Sequence, residues 1–442
     1  MRLQRGTGSA AAVNISIAGV SAVSGLLVAR WLGPADRGVL ALLLAWFTVA
    51  LPLGELGISV GITVASARLP HQGRTLFRAA AGLFLGLGVV TALLVCLLSW
   101  LFQRNSLTFT LIVPLALLIP IGMLSGLPSF ILQATNRNRW NAARSVQPIS
   151  YLILICIAWG AHQFSLIAAL TCYIASLLIA LTIGYVLLRT LTSPPVPAPG
   201  LNDEESDGPS SVRALRRMIL GFGLRNFPSS IPSSIASRID VLILGSFVAI
   251  GVVGQYSVSL TLIGLSQPAV MAVAALTLPA AAALGAAPTS AALRALAFRS
   301  LRDSVVVSTA LSALVAIAAP ILVSVLLGDL YSSTPMLVRI LCVAQPGIAL
   351  ALVFRSLLQG TNRPGAAAIP EWASLAILVA LLVALIPALG AVGACLSVVL
   401  SAWVAAALYG MRWRHLVPLG SVTGLGWPTR RQHRGPRQPP RS

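Results

Sequence analysis

The chain has 442 residues, of which 57% are hydrophobic and only 9% are charged. A soluble globular domain usually carries about 25% charged residues, so this composition excludes that class. The net charge of +20 at first suggests a nucleic-acid partner, but its distribution along the chain, described below, argues against one.

Twelve apolar segments are long enough to cross a bilayer as helices, which takes about 20 residues each. Their unbroken hydrophobicity favours helices over the short alternating strands of an outer-membrane barrel. We therefore predict an all-α polytopic membrane protein with about 12 transmembrane helices. The predicted spans are 10–28, 39–65, 79–101, 109–132, 145–160, 165–188, 218–247, 253–284, 304–327, 335–358, 366–386 and 391–410.

The first spans contain few polar residues. The short N-terminus runs into a segment long enough to remain as the first helix, so we expect no cleaved signal peptide. Asn14, in the first span, is equally compatible with interhelical packing and with a cavity lining. Glu55, in the second, is the deepest lone carboxylate. It is a candidate proton or cation site, or the partner of an arginine in a static salt bridge.

A six-residue sequence occurs twice, as LQATNR at 132–137 and as LQGTNR at 358–363. The copies are 226 residues apart, about half the chain, and both follow a long apolar segment. This spacing predicts a duplicated unit. The repeated loops themselves are interpreted as structural, with a helix end, a polar cap and an arginine.

The longest internal polar segment separates the sixth and seventh spans. It is rich in proline and then acidic, which is typical of a flexible linker. We predict an N-terminal six-helix lobe at 1–190, a linker at 191–216, a C-terminal six-helix lobe at 217–411 and a basic disordered tail at 412–442. Two lobes with an even number of helices would enter the membrane in the same direction, with a site between them.

The seventh span carries Arg225, Arg238 and Asp240, with Pro228 and Pro232 between the two arginines. Each proline removes a backbone hydrogen bond, so we expect this helix to be bent or broken. Cations at two depths would suit a moving gate along an anion path. Arg225 could instead extend to the headgroups, and Asp240 could pair with another helix or lie at the outer interface.

Arg339, one turn into the tenth span, is a further candidate cavity cation, with extension to the headgroups as its alternative. The chain contains no phosphate-binding glycine loop, no metal-ligand spacing and no nucleophile–base motif. All five cysteines lie in predicted spans, where we interpret them as packing residues. We therefore expect no catalytic residues, no metal and no cofactor.

The 30 basic residues are all arginines, and they orient the chain. With the N-terminus inside, 24 lie in cytoplasmic segments, whereas the outside loops hold only Arg30, Arg37 and Arg104. This asymmetry is the positive-inside pattern. It predicts cytoplasmic termini and contact with anionic lipids rather than with nucleic acid.

Three sets of residues resemble Wzx-type flippases of the multidrug/oligosaccharidyl-lipid/polysaccharide flippase superfamily. They are ARWLGPADRG at 29–38, the RID and GQYS motifs at 238–240 and 254–257, and the two repeated loops. The resemblance covers nearly the whole chain apart from the linker and the tail. It implies alternating access between two lobes in a bacterial plasma membrane, with a lipid-diphosphate-linked glycan as cargo.

In such a flippase, cavity cations attract the anionic substrate, and Arg225 and Arg238 are the best candidates here. The chain lacks the arginine cluster of a lipid II flippase in its first span and the carboxylate cluster of drug/cation antiporters in its first lobe. A MATE-like cation-coupled exporter remains an alternative, in which Glu55 or Asp240 would titrate. A membrane glycosyltransferase or polymerase is disfavoured by the short outside loops. A flippase could also require other envelope-polysaccharide synthesis proteins.

Overall fold

The protein is described from a computed structural model that covers residues 2–69, 72–102, 113, 116, 118–190, 212–284, 291–361 and 365–416. Within these ranges the regular secondary structure is helical. The predicted linker from 191 to 211, the tail beyond 416 and the end of the second repeat lie outside the described residues.

Fifteen α-helices are described, numbered in chain order. They are α1 (Arg2–Gly54), α2 (Ile58–Arg68), α3 (Gly73–Phe102), α4 (Ile119–Thr135), α5 (Arg137–Gly160), α6 (Leu166–Arg189), α7 (Val212–Ala236), α8 (Ile239–Phe247), α9 (Ile250–Gly264), α10 (Gln267–Ala283), α11 (Ala291–Leu326), α12 (Thr334–Cys342), α13 (Ala344–Gly360), α14 (Gly365–Leu389) and α15 (Ala391–Leu416). A 3-10 turn (Asp329–Tyr331) follows α11.

These helices match the predicted membrane spans. In the described part of the chain, eight helices are long and apolar enough to cross a bilayer, or nine if α9 and α10, bent by 48°, form one span. Eleven of the twelve predicted spans coincide with one helix, with part of the long α1, or with consecutive helices separated by a short break, and the described part of the span at 109–132 contains α4. The chain is therefore a multi-pass membrane protein, as predicted.

Buried apolar side chains form separate cores in the two halves. The first core extends from Val28 to Ile219, and the second is formed mainly by residues from Val241 to Cys395. Trp46 of α1 packs against both cores. The predicted all-α polytopic fold is thereby confirmed, and each half has its own core. The beginning of α7 packs into the first core, so the seventh span joins the two halves.

The two copies of the repeat end their helices in the same way. The Thr135 hydroxyl donates to the Ile131 carbonyl and the Thr361 hydroxyl to the Leu357 carbonyl, both at 3.0 Å. In the first copy the Asn136 side chain also accepts from the backbone N–H of Arg139 at 3.1 Å, which makes it the N-cap of α5. An N-cap side chain satisfies a backbone donor that the helix leaves free. These contacts give both threonines and Asn136 structural roles.

The loop predicted after the first span is reduced to a sharp break at Gly33 within α1. Helical segments before and after this residue meet there, because its φ of 74° and ψ of 173° are not helical. Glycine adopts this positive φ without the steric cost that a side chain would impose. Pro34 follows at the first position of the second segment, where its missing N–H costs nothing. Arg37 consequently lies at the start of that second helical segment.

The seventh span is broken, but not at its prolines. Pro228 and Pro232 lie inside α7, and the break falls at Ser237 and Arg238 before α8 begins. The second span is also broken, since Leu56 and Gly57 both have positive φ, 50° and 72°. Both breaks lie in helices that border the interface between the halves.

Candidate functional site

The two halves meet at a crossing of α1 and α9 near the end of the bundle that carries the Gly33 kink, which we call the far end. Gly38 and Gly254 face each other there. A Cβ on Gly38 would lie 1.9 Å from the Ile250 carbonyl oxygen, and one on Gly254 would lie 1.9 Å from the Pro34 carbonyl oxygen. The contact is reciprocal, because each glycine opposes the carbonyl four residues before the other. Only glycine permits backbones to approach this closely.

Two hydrogen bonds between the halves reinforce closure of the far end. The buried Tyr331 hydroxyl donates to the Ala29 carbonyl at 2.8 Å. The Arg30 guanidinium donates to the Leu326 carbonyl at 3.1 Å. These bonds join the first half to the end of α11 and to the turn that follows it, so the far end is held shut by side chains as well as by the glycine crossing.

At the opposite end, which we call the linker end, α2 packs closely on α7. Cβ atoms on Gly57 and Gly61 would lie 2.5 and 2.2 Å from the carbonyl oxygens of Gly223 and Ile219. The Arg68 guanidinium lies over the Phe222 ring, 4.8 Å from its centroid. The interface between the halves is therefore closely packed at the far end, by α1 and α9, and at the linker end, by α2 and α7. The Gly57-xxx-Gly61 pattern is a close-packing site.

Arg37 lies between the halves, beside the glycine crossing. Its guanidinium contacts the Thr261 hydroxyl of α9 at 3.5 Å, and Tyr151 of the first half and Tyr331 of the second half both lie within electrostatic range. Its Nε is buried and has no hydrogen-bond partner among the described residues. Arg37 was expected in the loop after the first span; it lies instead at the start of the helical segment that follows the Gly33 break, with its guanidinium towards α9.

Arg238 is the second cation at this interface. It is exposed at the break between α7 and α8, and it is close enough to Arg37 for the two charges to repel. Within the described chain neither guanidinium has a carboxylate at ion-pair distance; the ion pairs found there are Arg302–Asp303 and Arg355–Glu371. Holding two like charges together without a counter-ion is unfavourable, and a bound anion would relieve it.

Asp240, two residues after Arg238, is directed into the second half. It is 5% exposed, and its Oδ2 accepts a hydrogen bond of 2.5 Å from the Tyr256 hydroxyl. Its Oδ1 accepts another from the Val241 N–H at 2.9 Å. Of the alternatives considered for Asp240, pairing with another helix is the one observed.

Arg225 and Arg339 lie away from this pair of cations. Arg225 is exposed on α7, thirteen residues before Arg238, which corresponds to about 20 Å along a helix. Arg339 is exposed on the face of α12 that also carries Met336, three residues earlier, and is followed by the exposed Val343. An exposed face with large apolar side chains is typical of lipid contact, so Arg339 is not included in the candidate site.

The polar residues of the first half remain separate from the arginine pair. Glu55 lies at the break between α1 and α2, partly buried, with the Ser59 hydroxyl as its hydrogen-bond partner. Asn14 is half-buried in the first part of α1. The described residues include no group of three or more metal-ligating side chains. The site is therefore organised around guanidinium groups, whose chemistry suits recognition of phosphate or carboxylate.

A further polar cluster joins three helices inside the second half. The Glu371 carboxylate accepts from Nε of Arg355 and from the hydroxyl of Tyr409, both at 3.0 Å. Glu371 is 8% exposed. This cluster fixes the packing of α13, α14 and α15 near the linker end.

Sequence inspection missed three residues of the site, namely Arg37, Thr261 and Tyr256. Proline is common at the first position of a helix, so the Gly33-Pro34 pair could have placed Arg37 in the first turns of a second helix. Tyr256 belongs to the GQYS motif, but neither it nor Thr261 carries a local signal for its contact, which is made with a residue more than 15 positions away in the chain.

Residues 3–284 match the model of a family described as polysaccharide biosynthesis protein. In structure the chain is similar to an inward-facing multidrug resistance MATE family transporter of the MOP superfamily, with a TM-score of 0.68, 16% identity and coverage of 92% of this chain and 96% of that one. It is also similar to the lipid II flippase MurJ in an inward closed conformation, with a TM-score of 0.67, 10% identity and coverage of 90% and 86%.

The MATE multidrug transporter DinF-BH in complex with R6G is similar as well, with a TM-score of 0.63, 17% identity and coverage of 95% and 96%. No curated protein matches the chain significantly. At these identities the structural matches demonstrate a shared fold, and all three of these structures belong to transporters or flippases.

Proposed function

The chain belongs to the polysaccharide biosynthesis protein family, and we propose that it flips a lipid-diphosphate-linked oligosaccharide or polysaccharide precursor across the cytoplasmic membrane of a bacterium. Transport would proceed by alternating access between the two six-span halves. The substrate is an anionic glycan on a lipid carrier, and the protein acts as a transporter rather than an enzyme, without a cofactor.

The observation that carries this proposal is the pair of guanidiniums between the halves. Arg37 comes from the first half and Arg238 from the broken seventh span, and no carboxylate within the described residues neutralises either one. A diphosphate offers several acceptor oxygens and two or more negative charges, so it can bind both cations at once. Its binding would offset the repulsion between them and draw the halves together.

The uneven distribution of arginines between the two ends of the bundle indicates which end faces the cytoplasm. The linker end carries most of the basic residues and is assigned to the cytoplasm, together with both termini. The far end, closed by the glycine crossing, then faces outward. In this arrangement the anion site is shut off from the outside, which suits a state that loads substrate from the inner leaflet.

Arg225, about 20 Å from Arg238 along the seventh span, is proposed as an earlier contact on the anion's path. Glu55 is proposed as the site of a coupling ion, since it is the partly buried carboxylate at the break of the second span. Asn14 would line the cavity nearby. Other envelope-polysaccharide synthesis proteins would supply or use the cargo.

The proposal is tested by deleting the gene and complementing it with variants. Lipid extracts analysed by mass spectrometry should show accumulated polyprenyl diphosphate glycan in the deletion strain and in Arg37→Ala and Arg238→Ala strains. Arg302→Ala, which changes an arginine 62% exposed at the linker end, serves as the control and should restore normal lipids. Normal lipids in the deletion strain would refute the proposal. Membrane insertion of each complementing variant is verified, so that accumulated lipid in a variant strain reports lost transport rather than missing protein.

A second candidate is a MATE-like cation-coupled exporter. It is favoured by the structural similarity to a MATE family transporter at a TM-score of 0.68 and by the lone carboxylate of Glu55. The same deletion strain distinguishes the two functions. Increased drug sensitivity with unchanged lipid-linked glycans, reproduced by Glu55→Gln, would support the exporter.

A further inference from the structure

Asp240 places a carboxyl group close to the arginine pair. Arg238 has φ −150° and ψ 9°, so the backbone between Arg238 and Asp240 is not helical at its start. Side chains two positions apart on a regular helix point away from each other. This rule does not apply to Arg238 and Asp240, because Arg238 is not helical. Arg238 is within electrostatic range of the carboxyl group of Asp240, yet the two side chains form no ion pair.

The carboxyl group is held elsewhere by α9. Tyr256 is fully buried, and its hydroxyl donates to Oδ2 of Asp240, while the Val241 N–H donates to Oδ1. Both carboxyl oxygens thus have donors inside the second half. Cys395 of α15 also lies within electrostatic range of Asp240 but donates to the Leu337 carbonyl instead.

The helix that carries Tyr256 also makes the far-end crossing. Gly254 lies two residues before Tyr256, and Thr261, which contacts Arg37, lies five residues after it. The position of α9 is fixed by the glycine crossing, and this in turn fixes the hydroxyl that binds Asp240. The helix α9 therefore contacts Arg37 through Thr261 and holds the carboxyl group of Asp240 through Tyr256. Asp240 lies two residues after Arg238.

We propose that Tyr256 is a positioning residue that keeps the Asp240 carboxyl group away from Arg238, and so leaves that guanidinium available for the phosphate of the lipid-linked substrate. This inference rests on the proposed function, because it assumes that Arg238 binds an anion. Without the Tyr256 hydroxyl, Oδ2 of Asp240 loses its donor, and the guanidinium of Arg238, which is within electrostatic range, can replace it. The resulting ion pair would compete with substrate.

The test uses the purified full-length protein in detergent and farnesyl diphosphate as the probe, with binding measured at fixed ionic strength. Tyr256→Phe should weaken binding by about tenfold, the size of a typical coupling between contacting residues. The double variant Tyr256→Phe/Asp240→Asn should bind within about twofold of the wild type, because the competing charge is removed. Asp240→Asn alone should bind at least as tightly as the wild type.

A merely structural role for Tyr256 makes the opposite prediction. The double variant would then lose both buried bonds and bind as poorly as Tyr256→Phe. Absence of rescue in the double variant overturns the inference, and so does a loss of binding in Asp240→Asn alone, which remains measurable if Tyr256→Phe does not fold.

Arg238→Ala separates this inference from the function on which it rests. If Arg238→Ala binds the probe as well as the wild type, the proposed anion site fails. If Arg238→Ala loses binding while Tyr256→Phe retains it, the anion site stands and the positioning role of Tyr256 alone is refuted.

Discussion

Gly254→Ala is the most direct test of the far-end closure. The added methyl group would lie 1.9 Å from the Pro34 carbonyl oxygen and 3.1 Å from the Gly38 nitrogen. Both of these are backbone atoms of α1, which cannot rotate aside as a side chain can. Ordinary carbon–oxygen contact requires more than 3 Å, so α1 and α9 must separate by more than 1 Å at the crossing. The substitution therefore acts on the closed interface itself.

The cost can be estimated from overpacking in protein cores, which is about 1–3 kcal/mol for an inserted methyl group. The penalty applies to the state with the far end closed, because an open far end would leave the methyl group free. A shift of this size changes the ratio of closed to open states by about 5- to 150-fold. A transporter balanced between the two states would then be found mostly with the far end open.

Spin labels measure this shift. Gln163 and Leu330 are exposed at the far end of the two halves, so cysteines introduced there in a cysteine-free background can carry labels without disturbing the crossing. Pulsed electron paramagnetic resonance should show longer distances in Gly254→Ala than in the wild type. Gly251→Ala is the matched control, since a Cβ three residues earlier on α9 meets no atom within 4 Å.

Gly38→Ala should give the same shift, and the double variant should cost less than the sum of the two, because one separation of the helices accommodates both methyl groups. An unchanged distance distribution in folded Gly254→Ala protein would refute the reasoning. Equal shifts in Gly254→Ala and Gly251→Ala would also count against it, since the effect would then not come from the crossing.

Three further predictions concern other contacts. Glu371→Ala removes a buried carboxylate from the partly exposed Arg355 and from the Tyr409 hydroxyl, and it should lower stability by about 2 kcal/mol, seen as a lower thermal midpoint in detergent. Asp303→Ala at the surface should change the midpoint little; equal midpoints for both would contradict this. Asn136→Ala removes an N-cap and should cost about 1 kcal/mol, with Asn136→Asp retaining most of the stability. Gly61→Ala should force α2 and α7 apart at the linker end and reduce transport. Gly221→Ala is the control, because its Cβ would meet no atom within 4 Å. Similar transport in both variants would show that the contact between α2 and α7 at Gly61 is dispensable.

Much of the fold was predictable because membrane insertion depends on local hydrophobicity. A span of about 20 apolar residues must satisfy its backbone hydrogen bonds internally, so its secondary structure follows from composition alone. The repeated LQxTNR loops predicted the duplication, and Thr135 and Thr361 make the same contact in both copies. The predicted break in the seventh span exists at Ser237, although the prolines that suggested it lie within the helix.

The candidate site was only partly predictable. Arg238 was identified because a charge inside an apolar span is costly and therefore informative. Arg37 was assigned to a loop because it lies between two predicted apolar spans. The structure reduces this loop to a break at Gly33, and the helical segment after it packs against α9 at Gly38.

The amino-acid sequence by itself determined that the protein is helical and crosses the membrane many times. These properties follow from hydrophobicity, which acts locally along the chain. The tertiary structure alone decided which side chains meet between the halves. Arg37 reaches Thr261 and Asp240 reaches Tyr256 because helices distant in sequence cross at specific rotations, and a pair of glycines allows the closest of those crossings.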